Sequence, residues 1–158
     1  MEIIFLTALN DNPIWYAETQ NVSIEPISEQ EITNLEQTYN NGNPFPRVLK
    51  ELLFLAGSKC YFLDYGLNDT QQELQEFLRE NMEEQELSIS RPFYAVDIYN
   101  AGDQFLFVYL DEGDNPIVHQ GSYYDEPSEN QWIISLGISL QRLIEVGIER
   151  VKAGRNPF

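Results

Sequence analysis

Gln104-Phe105-Leu106-Phe107-Val108-Tyr109-Leu110 is apolar on both of its faces: Phe105, Phe107 and Tyr109 alternate with Leu106, Val108 and Leu110. A strand with one wet face would alternate apolar with polar residues, so this pattern predicts a central strand covered on both sides. On its N-terminal side, Phe93 to Tyr99 is a second strand-like run. On its C-terminal side, Asp111-Glu112-Gly113-Asp114-Asn115 is a five-residue turn, and Pro116 to Gln120 returns to complete a hairpin.

Helical patterns flank this block. Ser28-Glu29-Gln30-Glu31 has capping-box spacing, and Ile32, Leu35 and Tyr39 follow on one helical face. Asn40 to Pro46 interrupts the pattern, and Pro46 is placed to start a second helix carrying Val48, Leu49, Leu52, Leu53 and Ala56 and ending at Gly57. The apolar face of that helix is wide, which predicts deep burial. Asp69 opens a third helix, with Leu74, Phe77, Leu78 and Met82 on one face and mostly acids elsewhere. The last helix is expected from about Leu136 to Val151, with Leu140, Leu143, Ile144 and Ile148 as its stripe. Arg150 and Lys152 complement its C-terminal dipole, and Gly154 caps it. Ile14 to Ala17 and Cys60 to Leu63 read as short strands. Glu2 to Leu9 reads as a strand, with a short helix as the alternative. Hairpin-linked strands without βαβ alternation make the class α+β. The expectation is one domain over residues 1–158, a mainly antiparallel central sheet packed by about four helices.

Charge narrows the function. The 158 residues hold 26 Asp and Glu against 9 Lys and Arg, a formal net charge of -17. No Lys or Arg occurs from Met1 to Pro46, and none from Pro92 to Gln141. Nucleic-acid binding needs clustered basic residues, and anionic membranes repel such a surface, so both are excluded as partners. A basic protein is the natural complement. The 42% apolar and 13% aromatic shares are those of a globular chain, not of an acidic tail. A single cysteine forms no internal disulfide, the N-terminus is acidic where a signal peptide would be basic, and no apolar run approaches the ~20 residues of a span. A cytoplasmic protein is expected.

Phe45-Pro46-Arg47-Val48-Leu49-Lys50-Glu51-Leu52-Leu53-Phe54-Leu55-Ala56-Gly57 resembles the opening helix motif of the SUKH superfamily, the group related to fungal cell-wall-assembly regulators. In that motif a Leu-Pro pair starts a helix, an aromatic or aliphatic residue follows three on, and an apolar pair sits six and seven on. An Asn-Gly closes it. Pro46, Leu49, Leu52, Leu53 and Gly57 fall on those places, while Phe45 stands for the usual Leu and Ala56 for the usual Asn. The Ser28 to Tyr39 helix looks like the family's preceding acidic helix, and Ser139-Leu140-Gln141-Arg142-Leu143-Ile144 is similar to its C-terminal helix. The likeness runs from about Ile27 to Val151 and leaves residues 1–26 outside it. It implies an α+β binding domain without known catalytic chemistry. Many bacterial relatives are immunity proteins that neutralise polymorphic toxins, often nucleases. Their binding residues form no fixed motif, so none is carried over.

The chemistry-bearing residues agree with a non-enzyme that needs no cofactor. His119 is the only histidine and Cys60 the only thiol, and neither has a recognisable partner set for nucleophilic catalysis. They read as a strand or rim residue and a buried small hydrophobe. Asp111 to Asn115 lacks the ligand spacing and distal bidentate Glu of a calcium loop, so no metal site is expected. Two segments are candidates for the partner-binding face: the turn acids Asp111, Glu112 and Asp114, and the loop Tyr123, Tyr124, Asp125 and Glu126. Tyrosine supplies rigid contact area, and adjacent acids suit a basic partner. The plainer alternatives are a solvated turn and tyrosines that cover the sheet edge. Glu80, Glu83, Glu84 and Glu86 read as the wet end of a helix. The function expected is a toxin-neutralising immunity protein acting through an acidic surface. The alternative is a regulatory or scaffold module of the same fold with no toxin partner, and a hydrolase built on carboxylates is a third.

Overall fold

The computed structural model describes residues 1–16, 21–123 and 132–155. In chain order its elements are α1 (Thr7–Asn10), β1 (Ile14–Tyr16), β2 (Asn21–Ser23), α2 (Glu29–Tyr39), α3 (Arg47–Ala56), α4 (Gln71–Glu84), β3 (Phe93–Tyr99), β4 (Gln104–Tyr109), β5 (Ile117–Ser122), β6 (Ile133–Ser139) and α5 (Leu140–Lys152). The strands β3-β4-β5-β6 form an antiparallel sheet in sequence order, and β1 pairs with β2 in a separate two-stranded ribbon. The fold is α+β, and the two-faced run is an inner strand of the larger sheet.

Each face of β4 meets its own helical layer. Phe105 and Phe107 pack with Phe93 and Ala95 against Leu74, Leu78 and Met82 of α4. Leu106, Val108 and Leu110 belong to the larger core built by α2, α3 and α5, with Leu6 and Leu9 from the N-terminal segment. A one-residue bulge in β3 breaks its register between Ala95 and Asp97. The bulge reverses the alternation, so Ile98 joins Phe93 and Ala95 on the α4 side. The outer edge of β3 is covered. The Gln75 amide exchanges two hydrogen bonds with the Ala95 backbone at 2.8 and 3.0 Å, Arg79 donates to the Phe93 carbonyl, and Ile98 N–H donates to the Asp64 carbonyl. This removes a free strand edge.

Local signals explain the helix ends. Ser28 and Glu31 form the complete capping box at α2. Thr70 caps α4, one residue beyond the expected Asp69, and accepts the Glu73 N–H. Ser139 caps α5 by accepting the Arg142 N–H. Gly147 lets α5 approach Phe62 so closely that an added Cβ would lie 2.5 Å from the ring. Gly147→Ala is therefore expected to lose about 1–3 kcal/mol by overpacking despite its better helix propensity. Denaturant unfolding reads the loss, and Phe62→Leu in the same background should recover part of it. A neutral or stabilising Gly147→Ala would show that the helix can shift freely.

Three expectations are corrected. Residues Leu136 to Ser139 belong to β6 rather than to the last helix, because Ser139 both caps α5 and pairs with Ile117 of β5, with Leu136 to Ile138 in the register shift between that pair and Ser135–His119. Cys60 to Leu63 is not a strand. It is a buried bend whose side chains enter the core beside β3, flanked by an isolated bridge at Lys59 and by the Ile98 N–H bond to the Asp64 carbonyl. Burial alone explains such a short apolar run. Glu2 to Leu9 is not a strand either: it is irregular and ends in α1, the short-helix alternative. The reason is Glu51 on α3, whose fully buried carboxylate accepts the N–H groups of Ile4, Phe5 and Leu6, each at 2.9 Å.

Candidate binding surface

Two of the exposed turn acids are engaged by a cation. Arg91 Nε donates to Asp111 at 3.2 Å, its Nη2 donates to both Asp111 and Glu112, and its guanidinium lies 3.8 Å over the Tyr109 ring. The Arg91 hydrogen bond holds the Asp111 carboxyl below its ordinary range. The Asp114 carbonyl accepts the Val48 N–H at 3.0 Å, which docks the turn on the start of α3. Of the three acids, two share the single charge of Arg91, and the Asp114 carboxylate has no ion pair among the described residues.

Tyr123 sits just past the other end of β5. Its ring is 5.6 Å from that of Phe105, and its hydroxyl donates to the Leu78 carbonyl at 3.2 Å. Burial pushes that hydroxyl above its ordinary pKa of 10. Tyr123 thus bridges the sheet to α4, with most of its surface covered. The six residues of β5 separate it from the turn, a span of about 20 Å. The two candidate segments are therefore not brought together at these positions. Tyr124, Asp125 and Glu126 lie outside the described residues.

The uncompensated charge stands elsewhere, on α4. Glu73, Glu76, Glu80, Glu83 and Glu84 are exposed on its outer side, with Glu86 just beyond. Among the described residues none of these six is ion-paired, whereas Arg47, Lys50, Lys59, Arg91 and Arg142 all are. The one cation of α4, Arg79, is turned away and held between the rings of Tyr39 and Phe93 at 4.5 and 4.4 Å. The signal for this stripe was legible in the spacing of three and four, which puts acids on one helical face.

The groups that could do chemistry are apart. Cys60 is buried in the core on the α3 and α5 side, and burial pushes its thiol up to about 12. His119 stacks on Phe107 and against Tyr109 on the opposite face of the sheet. The sheet separates the two. Asp97 is partly buried at the β3 bulge, where its carboxylate accepts the Asp64 N–H at 2.8 Å. Burial, against the pull of that hydrogen bond, raises its pKa to about 7. It does not line either of the two cavities beside α4. Among the described residues no cluster of three His, Cys, Asp or Glu could hold a metal ion.

Those two cavities each hold about 250 Å³. One is a polar groove between α2 and the start of α4, walled by Glu31, Asn34, Thr38 and Thr70. The other lies under the β3–β4 turn and is walled by Phe77, Ile98 and Tyr99, with Asp64 and the fully exposed Leu67 at its rim. Sequence reasoning passed over Leu67, although an isolated apolar residue between Gly66 and Asn68 in a turn is a visible anomaly.

No protein-family model, curated protein or solved structure matches the chain. Among the described residues no helix is long and apolar enough to cross a membrane.

Proposed function

We propose that this chain is a non-enzymatic protein-binding domain of SUKH type, a cytoplasmic immunity protein that neutralises a basic toxin domain through its acidic surface. The observation that carries the reading is the exposed stripe of carboxylates on α4, none of them ion-paired among the described residues, while Arg47, Lys50, Arg91 and Arg142 are engaged by acids elsewhere. A field of one sign on one face steers a partner of the opposite sign and raises its association rate. The resemblance of the Pro46 to Gly57 helix supports the family, and the separation of Cys60 from His119 supports a role without covalent catalysis. The turn acids Asp111, Glu112 and Asp114 and Tyr123, at the two ends of β5, remain proposed secondary contacts, together with Tyr124, Asp125 and Glu126, which lie outside the described residues.

The test is stopped-flow binding to a basic protein that is encoded beside this chain's gene or that co-purifies with it. Association should slow at least about ten-fold from low to physiological salt, as steering is screened. Changing Glu76, Glu80, Glu83 and Glu84 together to Gln should slow association at low salt and flatten that dependence. Neutralising Asp111, Glu112 and Asp114 should do less, because Arg91 already offsets one of their three charges. A partner bound equally fast at both salts, and indifferent to the α4 variant, would mean that the charge serves solubility alone.

A further inference from the structure

The cavity under the β3–β4 turn has walls of a particular kind. At about 250 Å³ it is smaller than the roughly 300–1,000 Å³ of sites for free small ligands, yet roomy enough for one protein side chain. Phe77, Ile98 and Leu67 supply apolar surface, and Asp64 supplies a carboxylate. Asp103 follows Gly102 of the lining, and Glu73, Glu76 and Glu80 flank Phe77 along α4. Among the described residues no lysine or arginine lines it.

Two further observations mark the same place. Leu67 stands fully exposed at the rim, the most exposed large apolar side chain among those described. The turn that roofs the cavity is held in an unusual backbone. Asn100, Ala101 and Gly102 all have positive φ, at 52°, 57° and 94°, a conformation that is strained for Ala101 because its Cβ crowds the backbone carbonyl. At Gly102 a Cβ would lie 2.9 Å from the Phe77 ring, so only glycine closes the cavity at this size. Strain kept at a surface cavity is characteristic of binding sites.

We propose that this cavity receives an arginine or lysine side chain of the protein partner. The methylenes lie against Phe77, Ile98 and Leu67, and the charge is met by Asp64. Long basic side chains have the required make-up, an apolar stem and a cationic head, and the aromatic wall adds an attraction for the cation. A second copy of this chain is disfavoured as occupant, because each copy carries a net charge of -17. The proposal rests on the basic-partner reading above and gives it a centre.

The experiment is an amide-resolved NMR titration of the full chain with Nα-acetyl-arginine amide, repeated with the neutral isostere Nα-acetyl-citrulline amide. Saturable shifts are expected in residues 64–68 and 98–102 with the cation and not with citrulline. Asp64→Asn keeps the acceptor for the Gly66 N–H and removes a like charge beside Asp97, and Leu67→Ser changes an exposed side chain, so neither variant should lose thermal stability. Each should weaken arginine binding about two- to five-fold. Equal shifts with citrulline, or unchanged affinity in both variants, would refute the proposal. Salt-sensitive shifts confined to the outer face of α4 would refute the cavity and leave the basic-partner reading standing. No salt-sensitive shift anywhere on the protein would remove both.

Discussion

Glu51→Ala is expected to destabilise the fold by about 3–5 kcal/mol, as for the loss of one member of a buried ion pair. Glu51 has no exposed surface, although it sits on a helix whose composition predicts an apolar interior face. Its carboxylate accepts three successive backbone N–H groups, from Ile4, Phe5 and Leu6, and the Arg47 Nε at 2.9 Å. Arg47 also reaches the Glu2 carbonyl. The alanine variant leaves those donors without an acceptor and the Arg47 charge without its partner. Leu6 and Leu9, buried at 1% and 0% exposure, are then no longer held over the core. The loss should appear in denaturant unfolding and as rapid proteolysis within residues 1–12. Glu51→Gln keeps the shape but offers an NH₂ where N–H groups converge, so it should fall between wild type and alanine. Burial alone would raise the Glu51 pKa, and the Leu6, Ile4, Arg47 and Phe5 donors together outweigh it and lower it from 4.5. The stabilisation is therefore present above pH 4.5 and lost as the pH falls below it. A loss under about 0.5 kcal/mol in the alanine variant, with residues 1–12 still protected, would show that the clamp is incidental.

What the sequence made legible follows the range of the interactions involved. The capping box at Ser28, the start of α3 at Pro46, both faces of β4 and the apolar stripe of α4 at Leu74, Leu78 and Met82 depend on neighbours within a few residues, and all appear in the structure, whereas Phe77, expected on that stripe, is exposed beside Gly102. Glu51 was not legible, because its partners are 45 to 47 residues away and a lone acid on an apolar face looks like an ordinary wet position. The bulge at Val96 left no mark in an apolar run that pairs in either register. β6 was hidden because Leu136 and Ile138 fit a helical stripe as well as a strand, and only its pairing with β5 decides. For the binding surface, the excess of acid was plain but not its distribution. Asp111 and Glu112 looked free in sequence, since Arg91 lies about twenty residues upstream on the far side of β3 and β4. The acids on α4 looked like solvated surface, and it is the pairing of the other cations that sets them apart.

Asp97→Asn is expected to stabilise the protein at pH 8, by up to about 4 kcal/mol, and to leave it unchanged at pH 4. The bulge in β3 turns Asp97 toward the Cys60 to Asp64 segment, where it accepts the Asp64 N–H while partly withdrawn from water. Burial is the largest influence on its pKa, the Asp64 and Ile98 N–H groups act against it, and the nearby Asp64 charge adds to it. The result is about 7 in place of 3.8, a gap equivalent to about 4 kcal/mol. A carboxyl whose pKa is higher folded than unfolded binds more protons in the folded state. Its stabilising protonation is complete below pH 3.8 and is lost as the pH rises to about 7. Glu51 works in the opposite sense and in a lower window, so the two together place the stability maximum at mildly acid pH. Relief of the -17 charge on acidification pushes the same way. The comparison with Asp97→Asn isolates the single site, because general repulsion changes almost equally in both proteins. The asparagine oxygen still accepts the Asp64 N–H, so only the buried charge is removed. Thermal unfolding of the two proteins from pH 4 to pH 8 should give curves that coincide at the acid end and separate through pH 5 to 7. Parallel curves, or a variant less stable at pH 8, would mean that Asp97 is ionised at little cost and that the bulge serves packing alone.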